Sequence, residues 1–93
     1  MEVPNSSLIH GACMLNKNMI LTGDNAKVIR QWKIEGDNLV LISKKENAHD
    51  SEIYALINMG NGYIASGSKD NSIKIWCKES INKDNYWNIN KII

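Results

Sequence analysis

The stretch Ser66-Gly67-Ser68-Lys69-Asp70-Asn71-Ser72-Ile73-Lys74-Ile75-Trp76 decides the fold. Its first half is a cluster of turn residues. Gly supplies backbone angles closed to other residues, and Ser, Asp and Asn bond their own backbone. Its second half is β-branched and aromatic and reads as a strand, Ile73 to Trp76. Just upstream, Gly60-Asn61-Gly62 is a hairpin signal, because both central positions of an Asn-Gly turn favour positive φ. Tyr63 to Ser66 is then a second short strand, and Ile53 to Ile57 the one before it.

Working outward, the same order recurs 44 residues earlier. That shift pairs Ile9 with Ile53, Ile20 with Ile64, Gly23 with Gly67, Ile29 with Ile73 and Trp32 with Trp76. Thr22 meets Ser66 and Arg30 meets Lys74, both chemically similar. The earlier copy reads as Ile9 to Leu15, a turn at Asn16-Lys17-Asn18, Met19 to Thr22, a turn at Asp24-Asn25, and Val28 to Ile34. A fourth strand closes each copy. The first is Leu39 to Lys44 after Glu35-Gly36-Asp37-Asn38; the second is Tyr86 to Ile92 after the polar stretch Lys78 to Asn85. No segment sustains a 3.6-residue amphipathic period, so no helix is expected. The expected fold class is all-β, with two four-stranded antiparallel sheets. Residues 1–7 form an N-terminal arm, 8–45 the first sheet and 46–93 the second. The run Ile53-Tyr54-Ala55-Leu56-Ile57 lacks alternation, which predicts that both faces of its sheet are covered.

Composition narrows the function classes. The chain has 93 residues and a formal net charge of +1. Near-neutral charge argues against a nucleic-acid binder, which needs clustered Lys and Arg. The strings Lys27, Arg30, Lys33 and Lys44-Lys45 read as solvated surface. The longest aliphatic run, Leu39-Val40-Leu41-Ile42, is far short of the roughly 20 apolar residues of a membrane span. Met1 to Leu15 lacks the charged start and apolar core of a secretory signal. Two cysteines, Cys13 and Cys77, make no disulfide framework, which favours a reducing compartment, cytoplasmic or nuclear. The sequon Asn5-Ser6-Ser7 is then silent.

Two sets of residues match chemical constellations by type. Ser66, His49 and Asp70 match a hydrolytic triad by residue type. The chain has no Gly-x-Ser-x-Gly elbow, and a catalytic Ser needs an exposed hydroxyl beside an oxyanion hole. The set therefore reads as structural, and no catalytic residue is expected. His10 and Cys13 have a two-residue gap, but His49 and Cys77 lie elsewhere, so the four do not have the spacing of a four-ligand zinc site. No metal and no cofactor are expected, and the cysteines read as small apolar fillers.

The residues Ala48-His49, Ile53 to Leu56, Ser66-Gly67-Ser68-Lys69-Asp70 and Ile73-Lys74-Ile75-Trp76 resemble a WD repeat. That family places a Gly-His pair about 25 residues ahead of a Trp-Asp pair in a four-stranded propeller blade. Here Ala48 stands for the Gly and Cys77 for the Asp. The first repeat, Ile9 to Trp32, is degenerate: it keeps Gly23 and Trp32, has Ala26 in the place of Asp70, and has no His before its first strand. The resemblance spans about residues 8 to 92. It implies two propeller blades and a buried hydrogen-bonded tetrad of His49, Ser66, Asp70 and Trp76. It also implies a non-catalytic protein–protein interaction scaffold. Partners would meet the face holding the approach to the first strand and the turn between the second and third. Those positions are Glu52, Tyr54 and Lys69, with Leu8, His10 and Asn25 by the repeat offset. Tyr54 is the favoured anchor, since aromatic residues carry interface energy. Alternative settings are an RNA-processing or a ubiquitin-linked assembly.

Closed propellers have about 4–8 blades. Two repeats fall short, so the chain is read as a fragment or truncated relative of a longer propeller. The alternatives are a ring built by self-association and the completion of another propeller in trans.

Overall fold

The computed structural model describes residues 8–77 and 88–93. The arm 1–7, the polar stretch 78–85 and residues 86–87 of the expected last strand lie outside the described residues. The described chain is all-β. Its strands are β1 (Ile9–Asn16), β2 (Met19–Asp24), β3 (Ile29–Glu35), β4 (Asn38–Lys45), β5 (Ile53–Gly60), β6 (Tyr63–Ser68), β7 (Ile73–Cys77) and β8 (Asn88–Ile92). They form two four-stranded antiparallel sheets, in the orders β1-β2-β3-β4 and β5-β6-β7-β8. Each expected strand is present, most of them longer than expected by one to three residues.

Turn chemistry explains the connections. Asn61 and Gly62 both have positive φ, 55° and 83°, as expected of an Asn-Gly hairpin. In the first sheet Gly36 takes φ 61° in the two-residue turn between β3 and β4.

The 44-residue repeat extends to the irregularities of the ladders. The register shifts between Ile9 and Gly11, between Met14 and Asn16, and between Gln31 and Trp32. The second sheet shifts at the offset positions, between Ile53 and Ala55, between Asn58 and Gly60, and between Ile75 and Trp76. Bulges re-aim the side chains that follow them, so the two sheets present offset-related residues on equivalent faces.

One face of the second sheet packs on one face of the first. Ile53, Leu56, Ile64 and Trp76 lie against Leu21 and Ile29, with Ala48 from the connecting loop. Cys13 and Leu15 flank this core, and burial pushes the Cys13 thiol up from its ordinary value. The approach is close enough to require glycine: a Cβ on Gly23 would stand 2.6 Å from Ile53 Cγ2. A Cβ on Gly11 would stand 3.1 Å from the Ala55 backbone. Asn58 Nδ2 donates to the Met14 carbonyl at 3.2 Å and joins β5 to β1.

The expectation that both faces of Ile53–Ile57 are covered is met on one face only. Ile53 and Leu56 are buried, whereas Tyr54, Ala55 and Ile57 are exposed. The bulge after Ile53 and the stacking of two sheets cover one side. The opposite side of the second sheet has no neighbour within the described residues.

Candidate functional site

Two groupings stand out: a buried polar hub in the second sheet and an exposed rim shared by both sheets. The hub begins on β7, where the Trp76 indole Nε1–H donates to Ser66 Oγ on β6 at 2.8 Å. Ser66 Oγ lies 2.7 Å from His49 Nε2. His49 Nδ1 lies 2.9 Å from Asp70 Oδ2 in the β6–β7 turn. One donor order satisfies all of these atoms. An ionised Asp70 only accepts, so His49 Nδ1–H donates to it; Nε2 then accepts the Ser66 O–H, and Ser66 Oγ accepts the indole N–H. The four residues that the WD resemblance singles out are thus contiguous through hydrogen bonds.

Asp70 has further donors. The Asp50 amide donates to Oδ2 at 2.9 Å, and the Ser72 amide and hydroxyl donate to Oδ1 at 2.9 and 2.6 Å. Partial burial pushes this carboxyl up. The bonds from the Ser72 hydroxyl, the Asp50 amide, His49 and the Ser72 amide outweigh that effect and hold it well below the usual carboxylate range. The 46–52 connection is therefore tied to the β6–β7 turn. It is also tied to both sheets, since the Ala48 amide donates to the Lys27 carbonyl at 2.9 Å and Lys74 Nζ donates to the Ala48 carbonyl at 2.8 Å.

The hub has the bond order of a Ser-His-Asp triad, yet its serine is enclosed. Ser66 has 0% exposure and His49 1%. Ser66 Oγ already takes both an indole and an imidazole partner, which leaves no approach for a substrate carbonyl. Among the described residues no three His, Cys, Asp or Glu side chains converge as metal ligands.

The first sheet carries a different polar centre. Trp32 Nε1–H donates to Thr22 Oγ1 at 2.9 Å, the counterpart of the Trp76–Ser66 bond. The acid is supplied by Asp24, two positions before the Ala26 that aligns with Asp70. Asp24 is fully buried, accepts the Ala26 and Val28 amides at 2.9 and 3.2 Å, and pairs with the Arg30 guanidinium. Arg30 was expected on the solvated surface and instead neutralises this carboxylate. Asp24, Arg30 and Ser72 are the residues that sequence reasoning missed. The available signal was the Asp-x-x-x-x-x-Arg spacing, which places both side chains on one face of a β-hairpin, and the Asp-x-Ser turn spacing, which lets a side chain bond its own backbone.

The rim unites the residues expected to meet a partner. The Asn25 amide donates to the Leu8 carbonyl at 3.1 Å, and the Lys69 amide donates to the Glu52 carbonyl at 2.9 Å. These are one bond repeated at the 44-residue offset. Each ties the β2–β3 or β6–β7 turn to the start of the first strand of its sheet. Asn25 Oδ1 accepts the Leu8 amide at 3.1 Å. Across the two sheets, His10 and Tyr54 meet edge to face with ring centroids 5.3 Å apart. His10 Nε2 stands 3.7 Å from Glu52 Oε2. Tyr54 remains 46% exposed, and Lys69 and Asn25 are exposed beside the cluster. No protein-family model matches the chain, and a search of curated proteins found no match.

Proposed function

We propose that the chain is a pair of WD-repeat blades that works as a non-catalytic protein-interaction module. The observation that carries this reading is the rim, where His10 of the first sheet meets Glu52 and Tyr54 of the second. An amphipathic Tyr held by an edge-to-face neighbour loses little side-chain freedom on binding, which suits an interface anchor. Lys69 and Glu52 add one charge of each sign at its border, which suits a polar partner surface over a purely apolar one. The hub supports the non-catalytic side of the reading, since its serine is enclosed and doubly bonded.

The test pairs two measurements on the whole chain. Proteins captured by the wild type are compared with those captured by Tyr54→Ala and by His10→Ala. Truncating a buried aromatic anchor costs about 2 kcal/mol or more, or roughly 30-fold in affinity. Capture that is unchanged in both variants overturns the rim assignment. In parallel, a fluorophosphonate probe is expected to leave native Ser66 unlabelled; stoichiometric labelling overturns the non-catalytic reading.

A further inference from the structure

Among the described residues, the side of the second sheet that faces away from the first is apolar and uncovered. Ala55, Ile57, Ala65, Ser66, Gly67 and Ile73 line an open depression of about 170 Å³. Ile57 and Ile73 are 59% and 45% exposed, and Met59 extends the patch at 55%. Subtracting the repeat offset from Ala55, Ile57, Met59, Ala65, Gly67 and Ile73 gives Gly11, Cys13, Leu15, Leu21, Gly23 and Ile29. Those six form the face of the first sheet that the second sheet covers. The open face is thus a second copy of a seat whose occupant is already known.

The occupant's side repeats as well. The second sheet enters the seat with Ile53, Leu56, Ile64 and Trp76. Their offset partners are Ile9, Ala12, Ile20 and Trp32, and Ile9 is 37% exposed where Ile53 is 0%. Gly67 supplies an independent sign. Its φ is not positive, so no backbone strain requires glycine there. A Cβ at Gly67 would meet only Ala55 Cβ, at an ordinary 3.7 Å. Its counterpart Gly23 must be glycine because Ile53 sits on it. A glycine at Gly67 leaves the same notch for an incoming isoleucine.

We infer that the open face of the second sheet seats the first sheet of another copy of this chain, with Ile9 of the incoming copy in the Gly67 notch. This contact is head-to-tail, so it repeats and closes into a ring when the rotation allows. With two sheets among the described residues and about 4–8 in a closed ring, two to four copies of this pair complete it. The inference goes beyond the rim reading, because it uses a sheet face that the rim does not include.

The experiment measures mass by light scattering, with circular dichroism on the same samples. The wild type is expected at one defined multiple of two to four chains. Gly67→Leu fills the notch and Ile9→Lys charges the incoming side; each is expected to keep its β-sheet spectrum and fall to a single chain. Each variant retains the face that the other has lost, so an equimolar mixture is expected to form a one-to-one dimer. Tyr54→Ala is expected to leave the assembly intact, which separates this contact from the rim. If Gly67→Leu fails to fold, Ile9→Lys alone decides. A folded wild-type monomer at every concentration overturns the inference. So does an assembly that survives Ile9→Lys, or a mixture that stays monomeric.

Discussion

The two sheets share strand order, bulges and a Trp-to-hydroxyl bond, yet they bury their acids in different ways. In the second sheet Asp70 reaches outward to His49 and Asp50 on the 46–52 connection. In the first sheet Asp24 turns inward, to its own turn amides and to Arg30 on the neighbouring strand. Both satisfy the rule that a buried carboxylate needs donors or a counter-charge. The outward solution also holds the two sheets in register, because the same connection donates to the Lys27 carbonyl of the first sheet. The Asp70 arrangement is thus the one that carries the joint between the sheets.

The sharpest way to break this contrast is to remove the joint. His49→Ala is expected to cost about 2–5 kcal/mol. It leaves the Ser66 hydroxyl and Asp70 short of a buried partner, at about 1–3 kcal/mol each, and empties the imidazole volume. Thr22→Val deletes the equivalent bond in the first sheet and strands one buried group, the Trp32 indole N–H, so it is expected to cost less, about 1–3 kcal/mol. Urea denaturation of both variants checks the ranking. Equal losses would mean that the hub does no more than its counterpart.

The next test uses protons. Asp70 is held below the usual carboxylate range in the folded chain, while an unfolded Asp titrates near 3.9. Its contribution is therefore present above about pH 4 and is lost as pH falls through the lower folded value. Asp70→Asn is expected to be less stable than the wild type by about 1–3 kcal/mol at neutral pH. The gap narrows progressively below about pH 4. Denaturation midpoints at neutral and acidic pH read it directly, and a gap independent of pH would assign the loss to packing alone.

The smallest effect sharpens the comparison at the turns. Lys27 and Asn71 occupy offset positions and share a φ of 69°. Asn adopts that left-handed conformation at lower cost than Lys. Lys27→Asn is expected to stabilise the chain by about 0.5–1 kcal/mol, because the backbone bond from Ala48 to Lys27 does not depend on the side chain. A rise in melting temperature confirms it; a fall would show that the Lys27 side chain contributes more than its backbone costs.

Much of this molecule was determined by local chemistry. Turn residues such as Asn61-Gly62 and Gly36, set between β-branched runs, place the strands without reference to anything distant. The recurrence of Ile, Gly and Trp 44 residues apart set the pairing of equivalent positions, and the resemblance to a WD repeat pointed to the hub residues of the second sheet. Tertiary structure alone decided the rest. It placed the acid of the first sheet at Asp24, because a buried carboxylate goes where a cation such as Arg30 can reach it. It brought His10 to Tyr54 and Glu52, since that meeting depends on how two sheets stack. It also decided which face of Ile53–Ile57 is covered. A residue pattern states that a face is apolar, but only long-range packing supplies the surface that hides it.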